Sequence, residues 1–180
     1  ASSLIEEIKK LYGDKAIAAG KVKLEMPQIA ENGNVVPMTV SVDSPMTDGD
    51  YVKAVHVFAE GNPIPAVATF YFTPMSAKAV CSTRIRMATT QNVATPTPRV
   101  RVPAKAKKGE VIEIKTLISH DMEMGTRKDA EGKTIPRKII KHFACTFNGK
   151  DVFKSDWQPG ISANPYMAFF AKVNESGTFQ

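Results

Sequence analysis

The chain is poor in the residues from which most catalytic and metal sites are built. Its 180 residues include two cysteines, three histidines and one tryptophan. Cys81 and Cys145 lie 64 positions apart, which rules out the short-spaced pairs of zinc and dithiol motifs. They fix no redox compartment. A disulfide forms only if folding brings them together; otherwise they are two small buried side chains on strands, the reading their surroundings favour. No apolar run approaches the roughly 20 residues of a membrane helix. Residues 1–20 are too charged for the apolar middle of a secretory signal, so any such signal is expected to have been removed or never to have existed. Gly-rich phosphate loops, paired helical metal ligands and nucleophile elbows are missing too. The expectation is therefore no catalytic set, no metal and no cofactor.

Charge is present in modest excess. Twenty-four Lys and Arg stand against 18 Asp and Glu, for a net charge of +6. The densest basic stretch, PRVRVPAKAKK at 98–108, has no aromatic residue to stack on bases, so nucleic acid is not the expected partner. Arg99 and Arg101 alternate with Val100 and Val102, which in an extended chain sends arginines to one face and valines to the other. The stretch is a strand entering a β unit, with Lys105, Lys107 and Lys108 on an exposed turn. Such a rim suits acidic protein partners.

One helix opens the chain. Ser3 and Glu6 have capping-box spacing, Leu4, Ile8 and Leu11 share a face, and Gly13 is placed to end it. The period then changes to two. NVVPMTVSVDSP alternates Val36, Met38, Val40 and Val42 with polar neighbours, and Pro37 marks an edge or a strand end. YVKAVHVFAEGNP, AVATFYFTP and AVCSTRIRMA supply three further strands, the last with Arg84 and Arg86 expected on one face and Cys81, Thr83, Ile85 and Met87 on the other. A proline-rich stretch marks a junction near residue 94.

Beyond it the succession returns. GEVIEIKTLISHDM plays the part of NVVPMTVSVDSPM; KIIKHFACTFNGKDVFKSDW is a hairpin turning at Asn148-Gly149; NPYMAFFAKV is one more strand. The repeat spans roughly 85 to 95 residues. The fold class expected is mostly β: two immunoglobulin-like sandwich modules, 1–93 and 94–180, after a short N-terminal helix. Each half shows about five strands where such a sandwich usually has about seven.

Chemistry is sparse. His56 and His142 fall inside strands, where a hydrogen-bonded, partly buried imidazole is the ordinary outcome. His120, beside Asp121 and near Glu123, is the best-placed acid–base candidate of the three. Aromatic neighbours of Cys145 would raise its thiol pKa, and the methionines fill cores. The long charged loop HDMEMGTRKDAEGKTIPRK favours partner contact, with Arg127, Lys128 and Arg137 as its candidates.

MPQIAENGNVVPMTVSVDSPMTDGDYVKAVHVFAEGNPIPAVATFYFTP with STRIRMATTQNV resembles SoxY, the carrier subunit of bacterial thiosulfate oxidation. ATPTPRVRVPAKAKKGEVIEIKTLISHDMEMGTRKDAEGKTIPRKIIKHFACTFNGKDVF with ISANPYMAFFAKVNESGT resembles its companion SoxZ. The resemblance implies a periplasmic, non-catalytic sulfur carrier formed by SoxY–SoxZ association. Its partners would be a haem-containing loading enzyme, a sulfate-releasing hydrolase and a sulfur dehydrogenase, with no nucleic acid and no membrane. In that family a cysteine on a flexible Gly-Gly-Cys-Gly-Gly arm at the SoxY C-terminus holds the sulfur intermediates. Here the SoxY-like half passes straight into the SoxZ-like half after TTQNV, and the SoxZ-like half stops before its own last strands. The expectation is either joined pieces of two chains or a fusion without the arm, with no substrate-attachment residue in this chain. Neither Cys81 nor Cys145 matches the arm. The alternative is a carrier-derived periplasmic binding or scaffold protein without covalent carriage.

Overall fold

Alternating apolar and polar residues build nearly the whole molecule in the computed structural model, which describes residues 4–15, 18–87 and 98–180. Helix α1 (Leu4–Tyr12) precedes β1 (Val22–Glu25), β2 (Val36–Val42), β3 (Ala54–Phe58), β4 (Ala66–Phe72) and β5 (Ala79–Ile85). Then come β6 (Pro98–Arg101), β7 (Glu110–Ile118), β8 (His142–Phe147), β9 (Lys150–Trp157) and β10 (Tyr166–Val173). The pattern is mostly β, as expected. Ser3 and the junction near residue 94 lie outside the described residues. Gly13 ends α1 as anticipated, at φ +62° with its N–H on the Lys9 carbonyl at 2.8 Å.

The strands form two antiparallel sheets, one in the order β1-β2-β5-β10-β7-β6 and the other β3-β4-β9-β8. Each half supplies three strands to the first and two to the second. The orders read the same from both ends when β1, β2, β3, β4 and β5 are matched to β6, β7, β8, β9 and β10, so the repeat in the sequence is a pseudo-twofold in space. Its axis runs between β5 and β10 in one sheet and between β4 and β9 in the other.

Pairing across that seam is unequal. β4 and β9 pair over five residues, Ala68 to Phe72 against Trp157 to Phe153, whereas β5 and β10 share only Thr83↔Met167 and Ser82↔Ala168. Packing makes up the difference. Phe153 stacks on Phe169 with centroids 4.5 Å apart and lies 6.3 Å from Phe70 of the first half. Phe143, Trp157 and Phe72 close around them. Rings this large bury the most apolar area per residue, and here they belong to both halves.

Pro37 behaves as its missing N–H requires. β1 pairs only with Thr39 to Val42 of β2, leaving Pro37 on the uncovered end of that strand. Asn148 and Gly149 take φ +50° and +76° in the β8–β9 turn. The C-terminal residues return to that hairpin: Phe179 bridges Phe147, and Gln180 exchanges backbone hydrogen bonds with Thr146 at 2.8 and 3.0 Å.

Candidate functional site

Both thiols are sealed into the core. Cys81 is fully buried, its Sγ 3.0 Å from the Met167 thioether at the β5–β10 seam, and burial holds its pKa well above the ordinary thiol range. Cys145 is buried on β8, and burial pushes its thiol up to about 11. Neither is a thiolate near neutral pH, and neither can meet a second protein. They sit on different sheets and both are free thiols.

The histidines do not converge. His56 on β3 faces Thr69 with Nδ1···Oγ1 at 3.0 Å, half-buried, and burial lowers its pKa. His142 on β8 is bonded to Asp156 at 2.7 Å but is exposed, not partly buried; His56, on the opposite edge strand, is covered by the Tyr12 ring at 5.6 Å. Both lie in one row across the smaller sheet, His56↔Thr69↔Asp156↔His142, with the two imidazoles at its opposite ends.

His120 is buried. Its Nδ1 accepts the Met122 N–H at 2.9 Å, which places the proton of the neutral ring on Nε2. Its backbone N–H and carbonyl are both engaged by Asn164, at 3.1 and 2.6 Å. Burial lowers its pKa, against an opposing pull from Asp121, whose carboxylate is 3.6 Å away.

What holds this corner is Arg86, which the alternation of β5 misplaces. The strand ends at Ile85, so Arg86 does not share the outer face with Arg84. It turns into the seam, 6 % exposed, and donates from its two terminal nitrogens to the Met122 and Asp121 carbonyls, both at 2.8 Å. Burial lowers its pKa while Glu123 and Asp121 pull it back up. One guanidinium from the first half thus fixes the start of the long loop of the second. Beside it lies a cleft of about 50 Å³ between Pro63, Ile64, Met124 and Pro159, room for a few waters.

The loop itself is divided. Asp121, Met122 and Glu123 are buried, contrary to the expectation of an exposed segment, while Lys128 to Thr134 stand in solvent. Arg127, a candidate partner contact, is half-buried and paired with Glu123. Burial alone would raise the Glu123 carboxyl; Arg127, the Gly125 N–H and the Arg86 charge outweigh it and hold it below the ordinary range. Arg137 is exposed but donates Nε to the Met124 carbonyl at 3.0 Å, and Lys128 is exposed on a bridge to Thr134.

Lys105, Lys107 and Lys108 are all exposed, on the segment leading into β7. They stand at the opposite end of that nine-residue strand from the loop, roughly 25–30 Å away by strand rise. Lys105 and Lys108 border an open groove of about 810 Å³ whose floor includes Ile112, Phe147 and Phe179. Among the described residues no three His, Cys, Asp or Glu side chains gather as metal ligands, and no helix is long and apolar enough to cross a membrane.

Comparison with known families gives two matches. Residues 8–112 match the family of sulfur oxidation protein SoxY, and residues 100–180 match that of sulphur oxidation protein SoxZ. The two ranges meet within β6 and the start of β7, so between them they cover both arms of the pseudo-twofold. No curated protein matches the chain.

Proposed function

The chain belongs to the sulfur oxidation protein SoxY family, with a SoxZ region completing it, and from that premise we propose that it is the folded body of a sulfur carrier. The intermediates derived from thiosulfate ride on a cysteine of a Gly-Gly-Cys-Gly-Gly arm outside these 180 residues. The body docks in turn on a haem-containing loading enzyme, a sulfate-releasing hydrolase and a sulfur dehydrogenase of the periplasm. It performs no chemistry of its own. Modules 1–93 and 94–180 correspond to the two carrier subunits, and Lys105, Lys107, Lys108, Lys128 and Arg137 are among the solvent-facing cations offered to those partners.

The observation that carries this reading is the conjunction of both family matches with a body whose thiols are buried. A glycine-flanked arm supplies what the body lacks, a thiol of little bulk and many conformations. Mass spectrometry of the native protein from cells oxidising thiosulfate tests it. The expected result is an arm peptide whose cysteine carries a thiosulfonate adduct. Native protein of determined intact mass with no arm cysteine would overturn covalent carriage.

The burial of Cys81 and Cys145 also favours a second reading, a carrier-derived scaffold that binds the same enzymes without holding sulfur. That reading expects capture of the dehydrogenase to depend on residues 121–137 and to survive replacement of both cysteines. His120→Ala leaving sulfur-oxidising activity intact would dispose of an enzymatic role for that residue.

A further inference from the structure

The outer face of the six-stranded sheet is cationic in a way neither half shows alone. On β10, Tyr166 and Phe170 point outward, half-buried. Arg84 of β5 lies over the Tyr166 ring at 5.2 Å, and Lys78, just before β5, lies over the Phe170 ring at 4.8 Å. The cation of each pair comes from the first half and the ring from the second. Across β7, Arg99 and Arg101 are exposed on β6, and Arg101 is the register partner of the outward Lys115. Lys172 stands exposed on β10, opposite Val111.

Two carboxylates of this face are already paired, and Asp43, opposite Lys78 just past the end of β2, is a third that offsets part of the charge. Glu113 is paired with Lys115 at 2.9 Å, and Glu25 with Lys23. Among the described residues no carboxylate lies within ion-pair distance of Arg84, Arg99, Arg101, Lys172 or Lys78. Those five cations compare with a net charge of +6 for the whole chain. The face is pleated and open, with small residues Ala168 and Ser82 at its centre, paired across the seam. Helix α1 lies elsewhere, its Tyr12 edge-on to His56 of the other sheet.

We propose that this face docks an acidic protein surface. The charge left unmatched calls for carboxylates, and the flat centre calls for a broad partner. Nucleic acid fits less well, because the two aromatic rings are already overlain by cations of this chain and are not free to stack on bases. Since the face is assembled from β5 on one side and β6, β7 and β10 on the other, docking also reports that the two halves are joined. The inference holds whether or not the protein carries sulfur.

The test is fluorescence anisotropy with a labelled polyglutamate peptide at low salt, against two variants of equal net charge. One is Arg99→Gln/Arg101→Gln/Lys172→Gln, all exposed positions; the other is Lys105→Gln/Lys107→Gln/Lys108→Gln. The first is expected to weaken binding about tenfold, about 1.4 kcal/mol, and the second less than about twofold. Binding to the unaltered protein should fade as salt rises. Equal losses in both variants, a larger loss in the lysine set, or tighter binding of an oligothymidylate of equal charge would each overturn the proposal. So would the absence of polyglutamate binding at low salt. Because the probe contains no sulfur and no carrier enzyme, these outcomes are independent of the arm-peptide measurement.

Discussion

Arg86 is a buried polar tie across the seam. A guanidinium removed from water is stable only while its donors are used, and two of them are spent on the carbonyls of residues 121 and 122. Arg86→Leu strips those carbonyls of their partners and Glu123 of a nearby positive charge. The expected loss is about 3 kcal/mol in denaturant unfolding, and Arg86→Lys should recover only part of it because an ammonium cannot span both carbonyls. His120 beside it gives a pH dependence of definite sign. Its folded pKa is lowered from 6.5 by burial, so the unfolded chain takes up the proton first. Stability is unaffected well above pH 6.5 and falls as pH drops through that value toward the folded pKa. His120→Asn keeps an acceptor for the Met122 N–H but does not titrate, so the fall in melting temperature between neutral and mildly acid pH should be shallower. His56, also lowered by burial, contributes with the same sign, which leaves a residual slope. Glu123 acts in a separate window, stabilising above its ordinary value near 4.5 and ceasing to do so as pH falls through its depressed pKa.

Elements with a strong period of two are legible in the sequence itself. Buried positions alternate in β2 (Val36, Met38, Val40), β5 (Ala79, Cys81, Thr83, Ile85) and β7 (Ile112, Ile114, Thr116). The β8–β9 turn was legible for the same local reason, because positive φ at two consecutive positions selects Asn-Gly. Gly149→Ala should cost about 1 kcal/mol, from forcing a Cβ into the left-handed region at φ +76°. An unchanged unfolding midpoint would show that the turn relaxes. Strand β1 is not legible because Val22, Lys23, Leu24 and Glu25 alternate over only four residues, too short a run to mark a strand. Arg86 and the first turn of the long loop were misplaced for a different reason. Their burial is mutual, across 35 residues of sequence, and nothing local announces it. The candidate cations separate too: lysines 105, 107 and 108 are exposed, whereas Arg127 is paired with Glu123, four residues before it.

For the molecule as a whole, the distribution of packing across the pseudo-twofold decides how it unfolds. Strand pairing at the seam is thin in the larger sheet, with two residue pairs between β5 and β10. The aromatic core is not divided there: Phe70 and Phe72 of the first half pack on Phe153 of the second. The smaller sheet adds five residue pairs between β4 and β9, and the shared aromatic burial, at about 25 cal/mol per Å², adds to that ladder, so a single cooperative transition is expected. Trp157 fluorescence reports the second half, and amide exchange of β2 reports the first. Both should change at the same denaturant concentration, and Phe153→Ala, at about 4 kcal/mol, should shift both midpoints together. Should the β2 amides keep their protection after Trp157 is exposed, the halves are independent bodies, and the cationic sheet face would exist only while they happen to be associated.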